Sequence, residues 1–261
     1  MKEPSHSDFV GSTAVSHLPS FYEGQDLEAL ASLPRYYDWI LSYFRPFLLG
    51  RVLEIGAGLG HIAARYAGQP ERLVLLEPAK NLYGRLKERF ASQSHVTTVC
   101  GLVEDLRPGE TGDGAISHFD AVLLVNVLEH VEDDGLMLRH ISQLLRPGGV
   151  LLVFVPALPW LYGTLDALVH HVRRYTRGSL TTTIEGAGFG VELARYFDLA
   201  GVLPWFITGR VLRRKEFSEG AAKFYDLCGV PVGRLMERLI EPPIGKNLVL
   251  VARRPKDILQ S

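Results

Sequence analysis

The 261 residues predict an α/β protein: a doubly wound, mostly parallel sheet of seven strands, helices on both faces, and a helical lid inserted before the last strand. Two observations carry this. From Arg51 onward, short apolar runs alternate with longer amphipathic ones, the pattern of buried parallel strands covered by helices. The first of these runs, Val52-Leu53-Glu54-Ile55, passes directly into a glycine loop, as the opening turn of an open α/β sheet does.

The elements follow in order. Residues 1–20 are polar and read as a loose N-terminus. Residues 21–49 carry Leu27, Leu30, Leu33, Tyr37, Ile40, Leu41 and Phe44 near a 3.6 period and read as helix, stopped by Pro46 and Gly50. Strands are expected at 52–55, 73–76, 96–100, 121–125 and 150–155, with helices at 61–67, 79–92 and 132–145 between them. Arg146-Pro147-Gly148-Gly149 ends the third helix and supplies a turn. A helix over 180–187 closed by Gly188, a strand over 189–196 and a strand over 247–252 complete the set.

Between those last two strands lies a stretch rich in Pro, Gly and Arg. It has helix-like pieces at 209–214 and 221–240, the second interrupted near Pro231. The expected organisation is therefore one domain built from 21–198 and 244–255, with 199–243 as an insertion. An insertion of that size in a compact domain is usually functional.

Composition removes several classes. Lys and Arg number 28 against 29 Asp and Glu, so no net field draws the molecule onto nucleic acid. Hydrophobic residues make up 47%, too many for a disordered chain. Cys100 and Cys228 lie far apart without histidine company, so neither a disulfide framework nor a bound metal is expected. Cys228 reads as a buried apolar filler. The first 20 residues carry Lys2, Glu3, His6 and Asp8 where a signal peptide needs an apolar core, and apolar runs are too short to span a bilayer, so a cytoplasmic location is expected.

The chemistry begins at Gly56-Ala57-Gly58-Leu59-Gly60-His61. Glycines in such a loop tolerate positive φ and let backbone amides approach a ligand. About 20 residues on, Glu77 closes the second strand where an open α/β sheet places an acid on a ribose. Dinucleotide binding calls for G-x-G-x-x-G, but here position 61 is His, and Glu54 before the loop sits badly beside phosphate. A carboxylate there suits a cationic ligand.

These residues resemble the class I S-adenosylmethionine-dependent methyltransferases, whose first motif is similar to Glu54-Ile55-Gly56-Ala57-Gly58-Leu59-Gly60. Phe119 to Val122 through Asn126-Val127-Leu128-Glu129-His130-Val131, and Leu144 to Gly149, are similar to later family motifs. The resemblance implies a Rossmann-like sheet with the last strand antiparallel, and S-adenosylmethionine as cofactor. It implies cofactor contacts from Glu54, Gly56, Ala57, Gly58, Gly60, His61, Glu77 and Pro78. Val103, Glu104 and Asp105 would meet the adenine, and Asn126, Val127 and His130 the methyl end. One departure is Leu102, where many relatives carry an acid. The block 162–180 is similar to a segment of a small-molecule branch.

The implied activity is methyl transfer to a small-molecule acceptor, oxygen favoured over nitrogen or carbon, yielding S-adenosylhomocysteine. Catalysis then rests on holding the acceptor in line, with His130, His171 or His170 as candidate base. Tyr162, Arg174, Tyr175 and Trp205 are candidate acceptor contacts. His130 also suits a packing role at a strand end, and the charges at 170–174 suit a solvated face. The insertion reads as a lid over the acceptor; Leu203 to Ile207 with the arginines beyond, as a membrane-surface element, is the less favoured reading. Two competing functions stay open: a cofactor-binding scaffold without turnover, and an NAD-linked oxidoreductase. No nucleic-acid partner is expected, and the oligomeric state is left open.

Overall fold

The computed structural model describes residues 33–106, 118–216 and 218–256. The expected N-terminal segment 1–20 and the first part of the helix at 21–49 lie outside them. Seven strands form one sheet in the order β3-β2-β1-β4-β5-β7-β6: β1 (Arg51–Ile55), β2 (Arg72–Glu77), β3 (Val96–Cys100), β4 (Phe119–Val125), β5 (Leu145–Pro156), β6 (Gly190–Phe197) and β7 (Asn247–Arg253). The first five are parallel, and β7 runs antiparallel between β5 and β6. The order reverses between β1 and β4, and open sheets of this kind bind ligands at the carboxyl ends of the strands beside such a reversal.

The strands are apolar on both faces because both are covered. Leu53, Val122, Leu151 and Leu250 pack on α3 (Asp134–Leu144) and α5 (Arg177–Gly186). Their neighbours Val52, Ala121, Leu152 and Val251 pack on α1 (Pro34–Phe44) and α2 (Lys80–Phe90). A short α4 (Thr164–Leu168) lies between β5 and α5. Helix starts follow local chemistry: Asp133 accepts a hydrogen bond from the Leu136 N–H, and Thr176 from the Ser179 N–H. Helix α1 has no such cap of its own. Its free Arg35 and Tyr36 N–H groups donate instead to Asp226, from a segment 190 residues away.

The structure corrects four expectations of secondary structure. The helix at 61–67 is reduced to a single tight turn, Ala63–Arg65, because only seven residues separate Gly60 from Gly68 and Pro70 follows. The turn at 146–149 is a bulge inside β5: Leu145 pairs with Phe119 and Val150 with Ala121, while Gly148 takes the left-handed φ of 76°. The helix at 209–214 starts earlier, as α6 (Val202–Phe206) continued by a wide π-turn at Ile207–Val211. Pro204 is accommodated there because it falls in the first turn, where N–H groups have no helical partner.

The fourth concerns 221–240. It is one helical rod, α7 (Glu219–Phe224), a π-turn at Tyr225–Gly229 and α8 (Val230–Leu239). Pro231 cannot donate to the Leu227 carbonyl, which accepts instead from Arg35 Nη1 at 2.8 Å. Cys228 is exposed rather than buried, since this rod turns apolar side chains outward.

Candidate active site

A cavity of about 260 Å³ opens at the carboxyl ends of β1, β2, β4 and β5. Of the expected cofactor residues, Glu54, Gly56, Ala57, Gly58, His61, Glu77, Pro78, Asn126, Val127 and His130 line it. The loop is shaped by Gly56, Gly58 and Gly60, all at positive φ, and anchored by Gly56 and Ala57 N–H groups on the Leu76 carbonyl. A Cβ on Gly56 would come within 2.6 Å of Val127.

Two acids sit in the wall. Glu77 is 5% exposed; its Oε2 accepts from Gly58 N–H at 2.8 Å and its Oε1 from Ala79 N–H at 2.9 Å. Burial nevertheless leaves its pKa above the ordinary carboxylate value. Glu54 is buried more completely, and desolvation pushes its pKa up to about 7 although the Tyr66 hydroxyl donates to it at 2.6 Å. A buried, poorly compensated acid beside an open cavity is the complement of a cation.

The remaining expected contacts divide. Gly60 lies off the cavity because its Cβ direction is filled by Phe90 and Leu86 of α2. Val103 is in the core, Asp105 turns back to accept from Leu102 N–H, and Glu104 does not line the cavity either. Arg174 and Trp205 reach the cavity. Tyr162 does not, its hydroxyl donating to the His171 carbonyl at 2.7 Å, and Tyr175 is buried with its hydroxyl on Asp134.

The three candidate histidines lie close together, with more company than the sequence indicated. His130, His170 and His171 all line the cavity, the first and third with rings 4.8 Å apart, edge to face. His170 is exposed and holds a left-handed φ of 59°. Burial, reinforced by His171, lowers the His130 pKa to about 3, so this imidazole stays neutral and is a poor proton acceptor. His171 differs. Its Nδ1 lies 2.9 Å from Asp166 Oδ1, which also receives Arg174 Nε at 2.7 Å. Burial would raise Asp166, but the hydrogen bond with His171 and the charge of Arg174 outweigh it and hold the acid below its usual range.

Behind the pair is Glu129, fully buried, pushed up to about 7 by burial, and 3.6 Å from His171 Nε2. Among the described residues, neither of its carboxylate oxygens has a hydrogen-bond partner. Glu129, His130 and His171 each bring one donor atom within 4.8 Å of the others, the spacing of a cation site where the sequence suggested none.

Sequence reading missed Asp166, Lys246 and Asn247. Asn247 opens β7 opposite Pro156 at the end of β5, so the antiparallel strand enters the sheet at the ligand-binding edge. Lys246 Nζ pairs with Asp198 at 3.0 Å and sits over the rings of Tyr36, Trp205 and Tyr225. The antiparallel expectation for the last strand was the available signal.

Residues 53–151 match the family described as a methyltransferase domain. A ubiquinone biosynthesis O-methyltransferase of Azorhizobium caulinodans is 32% identical over 123 residues, 46% of this chain and 46% of that protein. One from Xanthomonas axonopodis pv. citri is 27% identical over 64% of this chain and 72% of its own length. The chain thus spans less than half the length of the first curated relatives it matches. Among solved structures, a Haloferax volcanii complex of the Trm112 methyltransferase activator with a methyltransferase superposes with a TM-score of 0.61 at 13% identity, over 89% of this chain and 95% of that one. The N-methyltransferase NodS of Bradyrhizobium japonicum with S-adenosyl-L-homocysteine gives 0.58 at 15%, over 90% and 94%. The cyclase SpnF gives 0.57 at 18%, over 93% and 89%. Glycine loop, strand-end acids and switch-point cavity agree with these matches, and residues 53–151 of the chain carry a methyltransferase domain.

Proposed function

We propose that this protein transfers a methyl group from S-adenosylmethionine to a hydroxyl of a small-molecule acceptor. The observation that carries the proposal is a cavity with acids at one end and a carboxylate-backed histidine at the other. Glu54 and Glu77 fit the cofactor: one buried acid meets positive charge, the other holds the loop amide of Gly58 beside a ribose site. When bound, the cofactor supplies an electrophilic methyl on sulfur, and S-adenosylhomocysteine is the product.

The chain's own residues do the rest. The cavity wall holds the acceptor oxygen in line, which alone removes much of the barrier. His171 takes the hydroxyl proton as the new bond forms, and Asp166 fixes its ring and stabilises the resulting imidazolium. His130, kept neutral, packs the site rather than serving as base. Trp205 carries the insertion's lid role over the acceptor end, with Lys246 of the sheet domain beside it. The relatives named for ubiquinone biosynthesis O-methylation support oxygen as the acceptor atom. The exposed thiols of Cys100 and Cys228 suit a reducing, cytoplasmic setting.

The test is calorimetric titration with S-adenosylhomocysteine and with NAD, followed by a screen of phenolic and carboxylic acceptors. Binding of the first alone, with turnover on a hydroxyl acceptor, is expected. Cofactor binding without turnover on any acceptor would move the protein to the scaffold reading, a real alternative because the same fold serves the cyclase SpnF. A second reading of the histidine cluster follows from the partnerless oxygens of Glu129: with His130 and His171 they would hold a divalent cation. Loss of turnover with a chelator, restored by added metal, would favour it over the base.

A further inference from the structure

Helix α8 is inside out. Its inward positions are Val230, Gly233 and Glu237, while Val232, Leu235, Met236 and Leu239 form an apolar stripe toward solvent at the i, i+3, i+4, i+7 spacing. Leu235 is 60% exposed and Leu239 78%. The stripe continues back through Leu227 and Phe224, the latter 69% exposed. The other helical rod of the insertion repeats the pattern, with Leu203, Ile207 and Val211 outward at successive turns. Soluble proteins rarely leave apolar helix faces of this extent uncovered without a partner for them.

Charge identifies the partner. Between residues 202 and 240 the exposed basic side chains are Arg210, Arg213, Arg214, Lys215, Lys223 and Arg238. The exposed acids of the insertion are Glu216, Glu219 and Glu241, the last paired with Arg177, while Asp226 and Glu237 point inward. The chain as a whole carries −1, so the positive charge is concentrated on this insertion.

We propose that the two apolar helix faces of the insertion and the basic residues around them dock the protein on an anionic lipid bilayer. Such a surface satisfies both features: headgroup phosphates meet the arginines and lysines, and the upper acyl layer receives the leucines. A second copy of the chain would bring two positive faces together, and a nucleic acid would leave the apolar stripes wet. Docking would set the membrane beside the cavity, since Trp205 on the first rod and Tyr225 on the second both flank Lys246 of its wall.

The experiment is flotation of the full chain with phosphatidylcholine vesicles and with vesicles containing phosphatidylglycerol. Tryptophan-monitored unfolding and S-adenosylhomocysteine affinity serve as controls of fold. Binding to the anionic vesicles is expected to be at least roughly tenfold tighter and to weaken in high salt. Both Leu235→Ser with Leu239→Ser and Arg213→Glu with Arg238→Glu are expected to abolish it while leaving the controls unchanged. Four outcomes overturn the proposal: no flotation with either lipid; equal flotation with both; flotation indifferent to both variant pairs; or a dimer in sedimentation that the leucine variants dissociate, which would give the face to a second copy. None of these depends on whether an acceptor has been found.

Discussion

His171 Nδ1 lies 2.9 Å from Asp166 Oδ1, and the same oxygen receives Arg174 Nε at 2.7 Å. An imidazole and a guanidinium thus share one buried carboxylate, fixing the imidazole with Nε2 on the opposite side, toward Glu129. His171→Ala is expected to lower kcat by roughly 100-fold, the lower end of what a positioned base contributes. Asp166→Asn should cost about tenfold through loss of ring orientation, and His130→Ala less than His171→Ala. Turnover measured against S-adenosylhomocysteine affinity on the same preparations checks this; parallel loss of both quantities would mean that the histidine shapes the cofactor site instead.

Gly58 holds φ at 56° while donating its N–H to Glu77. Gly58→Asp adds a side chain where left-handed backbone is costly and a negative charge next to an acid already raised by burial. S-adenosylhomocysteine affinity should fall at least roughly 100-fold with the circular dichroism spectrum retained. Calorimetry showing unchanged affinity would remove the glycine loop from the site.

The Glu54 carboxyl gives a pH dependence with a definite sign. Its folded pKa of about 7 lies above its ordinary value, so the folded state binds the proton more tightly. Its stabilising contribution is present in acid below the ordinary carboxylate pKa and is lost as pH rises through 7, an effect bounded on the order of 3 kcal/mol. Affinity for a cationic ligand runs the other way, rising as the carboxylate ionises. Thermal unfolding and ligand titration between pH 5 and 8, roughly the span around neutrality where such a group titrates, should show both trends in the wild type; in Glu54→Gln the ligand trend should vanish and the stability trend should shrink. Glu129 titrates in the same direction, and the single substitution separates the two.

Asp226 accepts from the Arg35 and Tyr36 N–H groups at 3.2 and 2.8 Å, capping α1 from the insertion. Asp226→Ala should cost about 1 to 2 kcal/mol, as loss of a helix cap does, and Asp226→Asn less. Urea unfolding of the three proteins reads this directly; equal midpoints would mean that Pro34 at the helix start suffices.

The sheet was legible because its strands are buried on both faces and separated by turn residues, so period and punctuation agreed. The cofactor end was legible because a glycine loop must follow its strand immediately, and the acid of Glu77 must close the next one. What escaped was set by distant packing. Asp166 acts through a histidine five residues on and an arginine eight on, a spacing with no motif behind it. Lys246 reaches the cavity only because β7 enters antiparallel. The outward face of α8 escaped for a different reason: its periodicity predicts a helix correctly and says nothing about which side meets the protein.

The π-turn at Tyr225–Gly229 has a further effect on that face. Each residue of an α-helix advances the side chain by roughly 100°, and a wide turn absorbs about one residue's worth of rotation. Phe224 therefore stays in phase with Val232, Leu235 and Leu239, where uniform α winding would swing it about a quarter-turn aside. The turn works as a phase adjuster, and deletion of one residue within it keeps the phase by restoring regular winding. The same change placed after Gly229, where winding is regular, would roll the leucines toward Trp39 and bring Glu237 out to the surface.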